Sequence, residues 1–156
     1  MSIQPQWKIR AFDALTLSEL YALLQLRSEV FVVEQACAFQ DLDGSDISAL
    51  HLQGLVDDQL VAYARCFGPG AKYAEASIGR IVTHTSVRRS GLGHLLVERA
   101  KAAIREFWGT RPIRIGAQAR LKTFYQGHGF ADVGVPYVED GIDHLEMVWS
   151  PLNPCQ

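Results

Sequence analysis

Arg88-Arg89-Ser90-Gly91-Leu92-Gly93 joins a β-branched run, Ile81-Val82-Thr83, to a strongly amphipathic segment. In that segment Leu92, Leu95, Leu96, Ala100, Ala103, Ile104 and Phe107 recur at helical spacing and share one face. The junction reads as strand, glycine turn, helix. Backbone N–H groups at a helix start lack intrahelical acceptors, and the helix dipole adds roughly half a positive charge there. Gly91 and Gly93 keep side chains off that backbone, while Arg88 and Arg89 bring forked positive charge. Such a stretch suits a pyrophosphate-like anion.

Three phosphate-binding patterns compete for it. A dinucleotide turn, G-x-G-x-x-G, needs glycine where Leu96 stands. A P-loop needs Lys after its last glycine, and His94 follows Gly93. The acyl-CoA pattern (Q/R)-x-x-G-x-(G/A) is met by Arg88, Gly91 and Gly93. Taken alone, the hexapeptide also fits a purely structural glycine pair at a helix start.

Outward from this point the chain reads as mixed α/β with a largely antiparallel sheet. Thr16-Leu17-Ser18-Glu19 has the form of a capping box, followed by Leu20, Leu23, Leu24, Arg27, Val30 and Phe31 at helical spacing. The acidic stretch Gln40 to Asp46 is spaced like a calcium loop but lacks the downstream Glu, so a solvated turn is expected. His51 to Val56 and Leu60 to Phe67 form a hairpin around Asp57-Asp58-Gln59, and Ser77 to Thr83 a further strand with Gly79 as a candidate bulge. Pro112 to Gly116 is a buried strand and Arg120 to Gln126 a short helix. Phe130 to Val138 and Asp143 to Trp149 close as a hairpin at Asp140-Gly141.

The 156 residues favour a single domain, 1–156, with its core at about 7–149. A formal charge of −2 offers no bulk field for nucleic acid. No apolar run approaches the ~20 residues of a membrane helix, and Met1 to Phe12 lacks an apolar leader core. Cys37, Cys66 and Cys155 are odd in number and widely spaced, so free thiols and a cytoplasmic setting are expected. Neither a nucleic-acid nor a membrane partner is expected.

About thirty residues beyond the cradle comes Phe124-Tyr125-Gln126-Gly127-His128-Gly129-Phe130, a Tyr on a short helix before Gly-Phe enters a strand. With Ile81-Val82-Thr83 upstream, the chain resembles the GNAT superfamily of acyl-CoA N-acyltransferases. More closely it is similar to the ElaA-like branch. That likeness rests on Phe31-Val32-Val33-Glu34-Gln35, Gln40 to Gly44, Ala62-Tyr63-Ala64-Arg65, Gly116-Ala117-Gln118-Ala119 and Glu139 to His144. The resemblance implies the GNAT fold and acetyl-CoA as cosubstrate, with no metal. It implies that Ile81, Val82 and Thr83 border the pantetheine arm. Arg88, Arg89, Ser90, Gly91, Leu92, Gly93 and His94 would surround the pyrophosphate, and Tyr125 would be the general acid. Gln118 stands where the family often has Asn, Leu121 where it usually has a small residue, and Arg89 where a Gly is frequent.

The implied reaction is direct attack by a primary amine on the acetyl-CoA thioester in a ternary complex, the acceptor being a small molecule or a peptide. A lysine-like amine is neutral in only about one molecule in 2,500 at pH 7, so a base is needed. Candidates are Glu34 at the end of the first helix, His51, His144 and Glu146, with Glu34 the leading choice. His51, Arg65 and Arg80 are the acceptor-binding candidates. For both arginines an ion pair to the acidic loop or Glu34 is the simpler role, as a satisfied structural histidine is for His51. Cys37, three residues after Glu34, keeps a thiol route open. Two rivals share the fold: a non-catalytic acyl-CoA-binding module, and an acyltransferase for longer chains of the acyl-homoserine-lactone kind. A homodimer face at Tyr137 and Trp149 is a further expectation, with core packing an equal account of Trp149.

Overall fold

The computed structural model describes residues 3–151, so Cys155 lies outside the described residues. Seven strands make one sheet: β1 Gln6–Ala11, β2 Leu50–Val56, β3 Gln59–Phe67, β4 Ala76–Thr83, β5 Ile113–Gln118, β6 Phe130–Glu139 and β7 Ile142–Trp149. Their order across it is β1-β2-β3-β4-β5-β7-β6. All neighbours are antiparallel except β4 and β5. The helices are α1 Leu17–Arg27, α2 Leu92–Trp108 and α3 Lys122–Gln126. The mixed, mostly antiparallel architecture expected from the sequence is the one observed.

The capping box at Thr16 is formed on both sides: Glu19 N–H donates to Thr16 Oγ1 at 3.0 Å and Thr16 N–H to Glu19 Oε1 at 2.9 Å. This satisfies two N–H groups that would otherwise be orphaned. α1 then widens into a π-helical turn, Ser28–Glu34, which carries Glu34 to its end. α2 buries Leu92, Leu96, Val97, Ala100, Ala103 and Ile104. Leu95 and Phe107, expected on that face, are 46% and 50% exposed. They stand on the flanks of a stripe centred on Leu96 and Ala100, and Val97 completes it.

β1 has no counterpart in the sequence reading. Trp7 and Ile9 alternate with Lys8 and Arg10, a pattern too short and too charged to stand out. Gly54 of β2 makes room for it, because a Cβ there would lie 2.7 Å from the Trp7 ring.

The two faces of the sheet differ. Ala62, Ala64 and Cys66 of β3 belong to the core under α2, whereas Tyr63 and Val82 pack with Leu23, Leu26 and Val30 of α1 and its π-helical turn. Two departures from regularity then open the sheet. The pairings Tyr63–Val82 and Arg65–Gly79 leave Arg80 and Ile81 opposite Ala64 alone, a bulge in which Arg80 takes φ +48°. It lies one residue past the expected Gly79. β4 and β5 pair only at Ala76–Ile113 and Ser77–Arg114. Beyond Ser77 the edge of β4 turned toward β5 has no strand partner among the described residues.

Candidate functional site

A cavity of about 640 Å³ occupies this gap, bordered by β4 from Ser77 to Thr83 and by β5 from Ile115 to Gln118. Tyr125 also lines it. Its ring is buried, and its hydroxyl has no hydrogen bond to any described residue, although buried phenols ordinarily find a partner. Burial pushes its pKa up to about 12. Gln118 lines the same cavity, donating to Gln35 Oε1 at 3.3 Å and accepting from Arg120 Nε at 3.0 Å, and Leu121 borders it.

The cradle lies where β4 leads into α2. Gly91 is the N-cap with φ +84°, a conformation natural to glycine, and a Cβ there would meet nothing within 4 Å. A Cβ on Gly93 would reach Phe124 only at 3.7 Å, so packing within the chain does not demand glycine there. Leu92 N–H donates to Ser90 Oγ at 3.3 Å, and His94 and Leu95 N–H groups donate to the Gly91 carbonyl. The N–H groups of Arg89, Ser90, Gly91 and Gly93 have no acceptor among the described residues. Arg88 is fixed by Glu34, at 2.8 and 2.9 Å, and by the Thr83 carbonyl at 3.2 Å.

Glu34 therefore stands at the cradle and outside the cavity lining, not beside an acceptor as expected. His51 is a second correction. It is fully enclosed, with Nδ1 2.6 Å from the Tyr63 hydroxyl and Nε2 2.8 Å from the Asp46 carbonyl, so neither nitrogen is left to touch an acceptor. Burial lowers its pKa.

The acidic loop is not a solvated turn. Asp41 and Asp46 are buried, and both bond the fully buried Arg27, at 2.9 and 2.7 Å. Arg65 joins Asp43 at 2.5 Å and Asp46 at 3.0 Å, while Arg80 joins Asp41 at 2.7 Å. The expected ion pairs of Arg65 and Arg80 with this loop are thus present. The carboxylates spaced like those of a calcium loop are occupied by guanidinium groups. Arg65 holds the Asp43 carboxyl well below the usual range; for Asp46 burial works the other way, but bonds from Arg27 and Arg65 outweigh it.

On the far side of the gap, Arg114 is shared by Glu75 at 2.9 Å and Glu146 at 3.0 Å. The Tyr137 hydroxyl sits over Gly116 so closely that any larger residue there would have to displace the Tyr137 ring. Tyr137 is thus a cavity residue, and Trp149 packs against the core, the second of the two roles expected for it. His144 stacks on Tyr137 with ring centroids 5.2 Å apart. Its Nδ1 is 2.7 Å from the Ile142 carbonyl, which can only accept, so the neutral ring carries its hydrogen there and its lone pair on Nε2. Glu139 Oε2 lies 3.9 Å from that Nε2. The Cys37 thiol is spent on the Asp140 carbonyl at 3.4 Å, and burial pushes the Cys66 thiol up to about 12. Lys72, Tyr73, Arg114 and the enclosed pairing of Arg27 escaped the sequence reading. They matter only through residues distant in sequence, and no local pattern marks them.

A split parallel pair in an otherwise antiparallel sheet, with a glycine cradle leading into the central helix, defines an acyl-CoA-dependent transferase architecture. Residues 29–151 match the acetyltransferase (GNAT) domain family, and the chain belongs to it. It is 40% identical over 144 residues to protein ElaA of Escherichia coli, spanning 91% of this chain and 94% of that protein. The crystal structure of E. coli ElaA superposes with a TM-score of 0.87 at 38% identity, covering 94% of this chain and all of that one. An acyl-CoA N-acyltransferase from Pseudomonas aeruginosa superposes with a TM-score of 0.89 at 43% identity, over 94% of this chain and 100% of the other.

Proposed function

We propose that this protein is an N-acetyltransferase moving the acetyl group of acetyl-CoA to a primary amine by direct attack in a ternary complex. The observation that carries the reading is the gap between β4 and β5, into which the unpartnered Tyr125 hydroxyl opens. The residues present fit an acyl-CoA. Among the described residues four N–H groups at the cradle lack acceptors and the edge of β4 lacks a strand partner, while Arg89 adds a positive charge beside the Arg88–Glu34 pair. Acetyl-CoA supplies an acetyl group activated as a thioester.

His144 is the base of this mechanism. It takes the amine proton at Nε2 as the N–C bond forms. Glu146, the alternative, has an oxygen committed to Arg114, and Glu34 stands at the cradle. Tyr125 acts at the other end of the reaction, donating a hydrogen bond to sulfur as the C–S bond breaks. Full transfer from a phenol near 12 to a thiolate near about 8.5 costs about 5 kcal/mol, so Tyr125 stabilises the leaving group without giving up its proton. Holding both reactants in one cavity supplies orientation, the largest gain open to a reaction with no covalent enzyme intermediate.

The test is thiol release from acetyl-CoA across a panel of primary amines. The wild type is expected to turn over, and His144→Gln to lose roughly 100-fold in kcat. Turnover by His144→Gln equal to wild type would remove His144 as base. Silence of the wild type across the panel would remove the enzyme reading.

A further inference from the structure

The two walls of the cavity carry opposite charge. Along the β3–β4 wall and directly behind it, Arg65, Lys72, Arg80 and the buried Arg27 of α1 pair, among the described residues, only with Asp41, Asp43 and Asp46, four cations against three carboxylates. The β6–β7 wall presents Glu139, Asp140 and Glu146. The cations near that wall are Arg114, divided between Glu146 and Glu75, and Arg120, bonded to Gln118.

The positive wall is also short of acceptors. Arg80 spends Nε and Nη2 on Asp41, at 2.7 Å to its carboxylate and 3.1 Å to its carbonyl, and its Nη1 has no hydrogen bond among the described residues. Lys72 gives one hydrogen bond, to Ser45 Oγ at 2.6 Å, and stands 3.6 Å from Asp43. Both side chains are partly exposed, 22% and 33%, and both line the cavity. Behind them Arg65, 3% exposed, leaves its Nε without any acceptor. Buried donors are nearly always paired, so this wall is one anion short by charge and one acceptor short by hydrogen bonds.

The walls face each other at one height. The pairings Arg65–Gly79, Ser77–Arg114 and Gly116–Glu146 set Arg65 and Glu146 at the same level of the sheet, on opposite sides of the gap between β4 and β5. The cavity between them, about 640 Å³, has room for a small molecule.

We propose that the acceptor is a zwitterion of the amino-acid class, its carboxylate received by Arg80 Nη1 and Lys72 Nζ and its amine held by the acidic wall beside His144. The bulge has a role in this arrangement, because it fixes Arg80 next to Ile81 and Thr83, where the acyl donor is expected. The inference rests on the acetyltransferase reading and narrows it.

Thiol release from acetyl-CoA, measured with each common amino acid and with its carboxamide, separates the two. The amide removes the carboxylate charge and lowers the pKa of the amine, so more of its amine is neutral and a preference for the acid cannot come from the nucleophile. An acid is expected to exceed its amide by about 10- to 100-fold in kcat/KM. Lys72→Gln is expected to raise KM for acids and leave amides unchanged, while the protein keeps its thermal shift with acetyl-CoA. Amides turned over as well as acids, or Lys72→Gln weakening both alike, would overturn the inference and leave the acetyltransferase standing. Release with neither set but with other primary amines would overturn the inference and leave the acetyltransferase standing, and release with no amine at all would remove both.

Discussion

The cradle and the cavity are made of different material. At the cradle, recognition is written in backbone: N–H groups without acceptors, a glycine at φ +84°, and a helix start. In the cavity it is written in side chains brought together from the acidic loop, β3, β4, β5 and the β6–β7 hairpin. Backbone recognition depends on a few adjacent residues and tolerates any sequence elsewhere. Side-chain recognition depends on the whole fold being in register. Relatives that share a cradle are therefore free to differ in what their cavities accept.

Substitutions that separate these two kinds of construction sharpen the contrast, and the largest effect belongs to the wall of the cavity. Arg27→Met leaves Asp41 and Asp46 buried without their shared partner, which costs about 3–5 kcal/mol. Thermal unfolding is expected to show a melting temperature lower by roughly 10 °C. An unchanged melting point would mean that the ionic network does not hold the loop in place. Next comes Tyr125→Phe, with kcat reduced about 10- to 50-fold while acetyl-CoA affinity is retained. A parallel loss of affinity would assign Tyr125 to binding and blur the division between cradle and reaction.

The pH dependence of Tyr125 points the same way. A phenol near 12 stays protonated through the alkaline range, so no loss of kcat between about pH 8 and 10 is assigned to it. An alkaline limb abolished by Tyr125→Phe would contradict that. The smallest effect concerns His51, whose folded pKa is lowered by burial. Below about pH 6.5 the unfolded chain takes up a proton that the folded chain resists, and stability falls as pH drops. His51→Gln, which keeps a polar group beside Tyr63, is expected to flatten the melting temperature between about pH 6.5 and 5. The fall below about pH 4, where Asp43 and Asp46 are lowered, should persist.

This difference in material also decides what could be read from the sequence. Arg88 to Gly93, the capping box at Thr16 and the apolar stripe of α2 are local patterns, and each appears in the structure where the sequence puts it, except that Leu95 and Phe107 fall on the flanks of the stripe and Val97 joins it. β1 was lost because its two apolar residues, Trp7 and Ile9, gain meaning only beside Gly54. The acidic loop read as solvated because its partners, Arg27, Arg65 and Arg80, lie on three other elements. Glu34 was legible as a helix-end carboxylate, but not as the partner of Arg88, 54 residues away. For His144, the free Nε2 follows from a bond to the Ile142 carbonyl that spacing alone cannot show.

The central claim is that the cradle binds acyl-CoA, and thermal unfolding with and without acetyl-CoA tests it most directly, comparing wild type with Gly91→Glu. At one hundred times its dissociation constant a native-state ligand adds about 2.7 kcal/mol, a rise of roughly 5–10 °C for a domain of this size. The account predicts that rise in the wild type and its loss in a still-folded Gly91→Glu, whose carboxylate would stand among the cradle's free N–H groups. An unmoved wild type at saturating acetyl-CoA, or an equal shift in both proteins, would contradict it.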